Sequence, residues 1–335
     1  MNSIDDEKII TGFLEGTVKG VVEPGHKPEH IQTMISHVFF YPNTVYKLYR
    51  KDSENFNKMF VDLSGRSRRQ FYEDDFFCNH YFNQDVYQKL LGIRVNDTVE
   101  LTDNSDAAYD RVIQMARIDV SHNLTAQLLE GSLAESDFQK IGWQMAKMIA
   151  EFPHPPKTKK NYYEIMRSFV QDIEGWTYLA DPLIPKGEAQ EVIRALYVFL
   201  ETQKDFFGQY SEKDFVAAID NHSDNIFYHN GEVSFIDAFL PKESWRIVMP
   251  YYSSSRPALD VLVLSGKKNS DAMLQGYYDY YQVPPVDEKL YYFYMIYHAL
   301  IKGPYLLILA KDGGARKEEG LRYWRFIKDA IGKLI

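Results

Sequence analysis

Between residues 220 and 237 the chain carries oxygen-bearing side chains whose types and spacing suit chemistry on a phosphate. Asp220-Asn-His-Ser-Asp-Asn225 precedes an alternating run, Ile226-Phe-Tyr-His229, then Asn230-Gly231, then Glu232-Val-Ser-Phe-Ile-Asp237. Asn-Gly between two alternating runs is a strong hairpin signal. A loop carboxylate, an amide five residues later and a carboxylate at the end of the second strand can converge on one point. Phosphoryl transfer needs an Asp to orient a hydroxyl and hard oxygen ligands for Mg²⁺ between nucleotide phosphates. Asp220, Asn225 and Asp237 are such groups. Asp, Asn and Ser also build turns, and for Ser223 and Asp224 taken alone the turn is the better reading. A fourth group, Lys47, lies in the apolar run Val45-Tyr-Lys-Leu48. A cation there is costly unless paired; the bland alternative is an edge lysine that blocks aggregation.

Positioning these groups falls to two kinds of element. Asp5–Leu14 reads as a short helix, followed by a turn at Pro24-Gly25. Thr33–Arg50 reads as a hairpin turning at Pro42-Asn43. Arg66–Leu91 has helical spacing in Phe71, Phe76, Phe77, Phe82 and Leu90, with Ser64 and Ser67 as candidate caps. Strands follow at Leu91–Val95, Thr98–Leu101 and Asp110–Met115, joined by turns such as Asn96-Asp97 and Asp103-Asn104. Beyond Ile118 the pattern is helical: 137–152, stopping at Pro153-His154-Pro155-Pro156, then 162–173, 187–207, 271–281, 288–301 and 318–335. The expected class is α+β: a small β-rich lobe with one long helix, then a large helical lobe with an inserted hairpin.

Of 335 residues, 45% are hydrophobic and 25% charged, a balance that suits one or two globular domains. A net charge of -9 argues against a general nucleic-acid binder. A single cysteine, Cys78, excludes an intrachain disulfide and suits a reducing, cytoplasmic setting, and the acidic N-terminus lacks the features of a secretory signal. Tyr291–Leu309 is the most apolar stretch, interrupted by His298, Lys302, Gly303 and Pro304. It reads as a buried helix broken near Gly303, not a membrane span.

The segment AIDNHSDNIFYHNGEVSFIDAF resembles the catalytic loop and metal strand of the aminoglycoside phosphotransferase group of kinases. Further blocks resemble an uncharacterised bacterial subgroup of that family: Met34–Phe40 with Val45–Leu48, Arg68–Asn79 through Asp85–Tyr87, and Tyr292–Lys302. Together they cover most of the chain in order. The resemblance implies a bilobal protein-kinase-like fold, with an N-lobe over 1–115, a C-lobe over 116–335 and Mg-ATP between them. It implies transfer of the γ-phosphoryl of ATP to a hydroxyl of a small metabolite, sugar or aminoglycoside. Asp220 would take the catalytic position, His222 the loop histidine, and Asn225 and Asp237 the metal positions. Lys47 would hold the α- and β-phosphates and pair with an acid of the following helix, with Glu73 and Asp75 favoured over Asp74. Residues 31–46 contain no glycine, so backbone N–H groups around Ser36 and His37, with the Ser36 hydroxyl, would cover the phosphates. The adenine-reading hinge falls by position at Gln114-Met115-Ala116-Arg117. Asp260 matches a buried Asp that orients the catalytic loop.

Two departures stand out: Ala218-Ile219 replaces the family's His-Gly before the catalytic Asp, and Asn221 replaces the Leu after it. They motivate two rival readings, a non-catalytic nucleotide-binding or regulatory pseudokinase and, ranked lower, a transferase that phosphorylates or AMPylates a protein. Oligomeric state is not legible. No HExxH or CxxC exists, so a zinc site is not expected. Ser253–Ser255 with Arg256 reads as solvated surface, Cys78 as packed, and Tyr277–Tyr281 as helix packing.

Overall fold

A computed structural model describes residues 4–33, 35–53, 57, 67–103, 108–153, 160–210, 214–311 and 316–334. Met34, the candidate cap Ser64, Asn104 and the His154–Pro156 stop lie outside them. The chain forms two compact units, each discontinuous in sequence, where a single cut at 115/116 was expected. One is Met1–Val120 with Ser234–Glu243; the other is Ser121–Val233 with Ser244–Ile335.

The first unit is built on six antiparallel strands: β1 (Glu29–Gln32), β2 (Ser36–Phe40), β3 (Thr44–Tyr49), β4 (Tyr87–Val95), β5 (Val99–Thr102) and β6 (Asp110–Ala116), in the order β1-β2-β3-β6-β4-β5. The β2–β3 turn falls at the expected Pro42-Asn43; β1 was not expected. Every residue of β3 is buried, which places Lys47 inside the sheet's centre and not on an edge. The helix α1 (Ile4–Glu15) covers one face. Its Phe13 stacks on Phe39 with ring centroids 4.6 Å apart, and Ile9, Tyr41, Tyr46 and Ile93 complete the cluster. A second helix, α2 (Arg68–Phe82), starts where Ser67 accepts the Gln70 amide and stops at Asn83, well before the expected Leu91. The physical reason is Asn83, whose side chain takes the Val86 amide at 3.2 Å and opens a turn. Leu90 is therefore a strand residue.

The second unit contains α3 (Leu124–Glu130), α4 (Glu135–Glu151), α5 (Tyr162–Tyr178), α6 (Lys186–Thr202), α7 (Lys204–Gly208), α8 (Pro250–Ser265), α9 (Lys267–Tyr281), α10 (Glu288–Lys311) and α11 (Lys317–Ala330). The two-residue strands β7 (Val216–Ala217) and β10 (Ile247–Val248) pair antiparallel. β8 (Ile226–His229) and β9 (Glu232–Phe235) form the expected hairpin, with φ of 52° at Asn230 and 82° at Gly231 as a tight primed turn requires. β9 starts in the second unit and ends in the first. Asp237 therefore belongs to the first unit with Lys47, while Asp220 and Asn225 belong to the second.

Two expectations fail here. α10 runs unbroken through Gly303 and Pro304. Gly303 serves instead as the place where α11 approaches, since an added Cβ would lie 3.0 Å from the Tyr323 Cβ. Among the described residues α10 alone is long and apolar enough to cross a membrane, and 72% of its apolar window is buried. A helix apolar on all sides is what the centre of a helical unit requires. Second, Ser253–Ser255 are not solvated surface: they lie on α8 and are buried. The four serines and two prolines of Pro250–Ser265 conceal its helical character.

Candidate active-site elements

In the first unit the Lys47 ammonium is buried and reaches the Asp237 Oδ1 at 2.7 Å, so the cation is paired, as its strand position demands. The partner differs from expectation. Glu73 pairs with Arg69 at 2.8 Å on the exposed face of α2, and Asp74 accepts from Gln70 at 2.9 Å. Asp75 is buried but accepts the Tyr49 hydroxyl at 2.9 Å and the Asn79 amide at 2.8 Å. Burial pulls the Lys47 pKa down. Asp237 outweighs it, with help from Tyr49, Asp75 and Tyr87, and holds the ammonium above its ordinary value.

Asp237 itself has φ 46°, a left-handed backbone that Asp tolerates better than most residues, and its side chain is half exposed. Two side chains that sequence reasoning missed hold this turn. The Tyr87 hydroxyl accepts the Asp237 amide at 2.8 Å and donates to its Oδ1 at 3.2 Å. The Asn79 Oδ1 accepts the Ala238 amide at 2.7 Å. Through Asn79 and Asp75, α2 supports the Asp237 backbone instead of supplying an acid to Lys47. The sequence shows only an Asn on an aromatic-rich helix; its complete burial, which requires partners, is set by the fold.

The other expected nucleotide contacts fall as follows. Ser36 opens β2, and its hydroxyl and amide are both engaged by the Thr33 hydroxyl at 2.9 Å, so this hydroxyl braces the β1–β2 turn. His37 lies 3.1 Å from His30, and burial, with His30 adding, depresses His37 to about 4. Met115 pairs with Val45 and Tyr87 in the sheet. The amides of Ala116 and Arg117 are spent on the Val86 and Asn43 carbonyls, each at 2.8 Å. The Arg117 guanidinium reaches the Tyr41 carbonyl at 3.1 Å and Glu29 at 3.3 Å. Neither amide is thus left for an adenine edge.

In the second unit, residues 218–225 form a loop between β7 and β8. Ala218 and Ile219 are buried apolar residues, and the loop is held from other directions. The Asn225 amide donates to the Asp220 carbonyl at 2.9 Å, tying the two candidate site residues together. Asp260, fully buried on α8, accepts the Ser223 amide at 2.7 Å and the Tyr323 hydroxyl at 2.6 Å, the orienting place foreseen for it. Ser223 also meets the Thr125 hydroxyl at 2.6 Å.

Asp224, read from sequence as a turn residue, is a charge centre. Lys302 reaches it at 2.5 Å, Arg316 at 3.2 Å and His222 at 3.3 Å, while Lys302 also faces Asp260 at 3.8 Å. Desolvation raises the Asp224 pKa, but the neighbouring His222 and Lys302 override it and hold the carboxyl well below the usual range. For Asp260 burial again acts upward and Lys302, then the Ser223 amide, downward, leaving it below its ordinary 3.8. His222 lies 3.7 Å from Asp220, so it bridges two acids. The Asp220 carboxylate meets Arg256 at 2.5 Å, an ion pair without the alignment of a good hydrogen bond. Arg256 comes from α8, Lys302 from α10 and Arg316 from the turn before α11, 36 to 92 residues from the acids they meet, and no local signal announced them.

No family model matches the sequence, and no curated protein matches it. Solved structures do. A choline kinase from Cryptosporidium parvum Iowa II is 12% identical, with 98% of this chain and 95% of that one covered and a TM-score of 0.53. Amicoumacin kinase hAmiN, in complex with AMP-PNP, Ca²⁺ and Ami, is 12% identical over 99% and 94%, at 0.53. LicA, in complex with AMP, is 14% identical over 92% of both chains, at 0.52. The chain thus has the expected α+β, protein-kinase-like fold, shared with these solved choline and amicoumacin kinases.

Proposed function

We propose that the protein is an ATP- and Mg²⁺-dependent phosphotransferase whose acceptor is a hydroxyl of a small molecule. The observation that carries this is the loop on which Asp220 and Asn225 are locked together by a 2.9 Å bond. That loop is anchored from below by Asp260, as a loop that must hold a hydroxyl in line would need. The likeness to LicA solved with AMP, and to amicoumacin kinase solved with AMP-PNP and Ca²⁺, supports a nucleotide and a divalent cation as ligands.

Each unit by itself offers an oxygen donor of the kind magnesium takes. Asp237 offers a half-exposed carboxylate and Asn225 an amide whose orientation is fixed, both hard oxygen donors. Among the described residues no group of three or more His, Cys, Asp or Glu could hold a metal by itself. Mg²⁺ that arrives with a nucleotide needs only one or two protein ligands besides phosphate oxygens. When bound it would neutralise charge on the β- and γ-phosphates. Lys47 would hold the α- and β-phosphates. Asp220 would orient the acceptor and take its proton as the acceptor oxygen bonds to the γ-phosphorus. The bond from that phosphorus to the β–γ bridging oxygen would break, and ADP would leave. A cytoplasmic setting fits the single buried thiol.

A second reading, a non-catalytic nucleotide-binding module, is favoured by Ala218-Ile219 and by the pairing of Lys47 with Asp237 instead of an acid on α2. Thermal unfolding with and without millimolar Mg-ATP, for the wild type and Asp237→Asn, tests both. Asn is the better probe than Ala because it keeps a polar group against Lys47. A nucleotide at a hundred times its dissociation constant adds about 2.7 kcal/mol. A magnesium-dependent shift lost in the variant, with transfer of γ-phosphoryl, is the expected result. A shift without transfer selects the binding module, and no shift at saturating nucleotide overturns both.

A further inference from the structure

The family's His-Gly brace is missing before Asp220, and its Leu after Asp220 is Asn221. Helix α8 answers both departures at one place. Pro257 lies inside α8 and has no N–H. In a regular helix that N–H would bond the carbonyl four residues back, which is Ser253. The Asn221 Nδ2, itself buried, donates to the Ser253 carbonyl at 2.9 Å. The acceptor left by the proline is therefore taken by the residue after Asp220. One position before the proline, Arg256 sends its guanidinium to the Asp220 Oδ1 at 2.5 Å, and His222 faces the same oxygen at 3.7 Å. Oδ1 is buried although the Asp220 side chain is 28% exposed, so its exposure lies on its other atoms. A carboxylate anchored through one oxygen keeps the second for a proton.

We infer that the Arg256-Pro257 step of α8 is a two-point brace for the Asp220 loop, standing in for the absent His-Gly pair, with Arg256 as the positioning residue of Asp220. This rests on the phosphotransferase reading above. Lys302 and Arg316 are engaged by Asp224, Asp260 and Glu319, while Arg256 reaches Asp220. A lysine at 256 would keep the charge but not the planar fork.

The test measures release of γ-phosphoryl from Mg-ATP to water and to a panel of hydroxylated small molecules, with the full chain. Arg256→Ala is expected to lower kcat about 100-fold, the scale of a misplaced catalytic group, with KM for ATP unchanged. Arg256→Lys recovers part of that loss, and millimolar guanidinium rescues Arg256→Ala but not Asp220→Asn. Asn221→Leu lowers kcat in the same direction, and melting temperatures show that each variant is folded. Arg256→Ala with wild-type kcat, or a loss that neither lysine nor guanidinium relieves, overturns the brace while the activity stands. A wild type that transfers phosphoryl to nothing overturns the phosphotransferase reading, and the brace with it.

Discussion

Lys302→Met tests the charge centre beneath the loop. The Lys302 side chain is only 9% exposed and serves two carboxylates, Asp224 at 2.5 Å and the fully buried Asp260 at 3.8 Å. After its removal Asp224 still has Arg316 and His222, whereas Asp260 keeps two neutral hydrogen-bond donors, the Ser223 amide and the Tyr323 hydroxyl. A unit charge about 4 Å away contributes about 4 kcal/mol at an effective dielectric constant near 20. Breaking a buried pair by removing one partner costs about 3–5 kcal/mol. A destabilisation of about 4 kcal/mol at pH 7 is therefore expected, read by urea unfolding monitored by circular dichroism. Its pH dependence carries the mechanism. The wild-type Asp260 carboxyl lies below 3.8 when folded, so its contribution is present above 3.8 and lost as pH falls through the folded value. Without Lys302 the folded carboxyl titrates at higher pH, and protonation relieves the variant first. The gap between variant and wild type should thus narrow as pH is lowered from 7 towards 4. A loss under about 1 kcal/mol at pH 7, or a gap that does not change with pH, would refute the buried-pair account.

Two further outcomes follow from packing and titration. A Cβ at Gly142 would lie 1.9 Å from the Met273 carbonyl oxygen, and one at Gly276 1.9 Å from that of Gln139. Gly142→Ala or Gly276→Ala must push α4 and α9 apart, at a cost of about 3 kcal/mol, seen as a lower melting temperature; an unchanged melting temperature would mean the helices do not cross this closely. Burial, with Arg256 adding, depresses His298 to about 3, against the opposing Tyr252 carbonyl and Asp260. Its contribution is complete above its ordinary 6.5 and declines as pH falls from there towards 3. His298→Gln should flatten the stability–pH curve over that window, and an unaltered slope would contradict a buried neutral imidazole.

Much of this molecule was legible because its signals are local. Alternation and the Asn-Gly turn specify β8–β9, since both need only neighbouring residues and backbone geometry. An apolar run around Lys47 already required a partner, and the ammonium has one. What the sequence could not decide is which distant side chain neutralises which buried group. Lys47 takes Asp237, 190 residues away, because Asn79 and Tyr87 fix the Asp237 backbone while Glu73 remains on an exposed face. Arg256 reaches Asp220, and Lys302 reaches Asp224, only once α8 and α10 are packed. Asn221 stood out in the sequence as a lost leucine, and Pro257 lacks the N–H that a helix interior uses. Folding joins them through one hydrogen bond, in which the Asn221 amide donates to the Ser253 carbonyl that Pro257 leaves open, 32 residues further on.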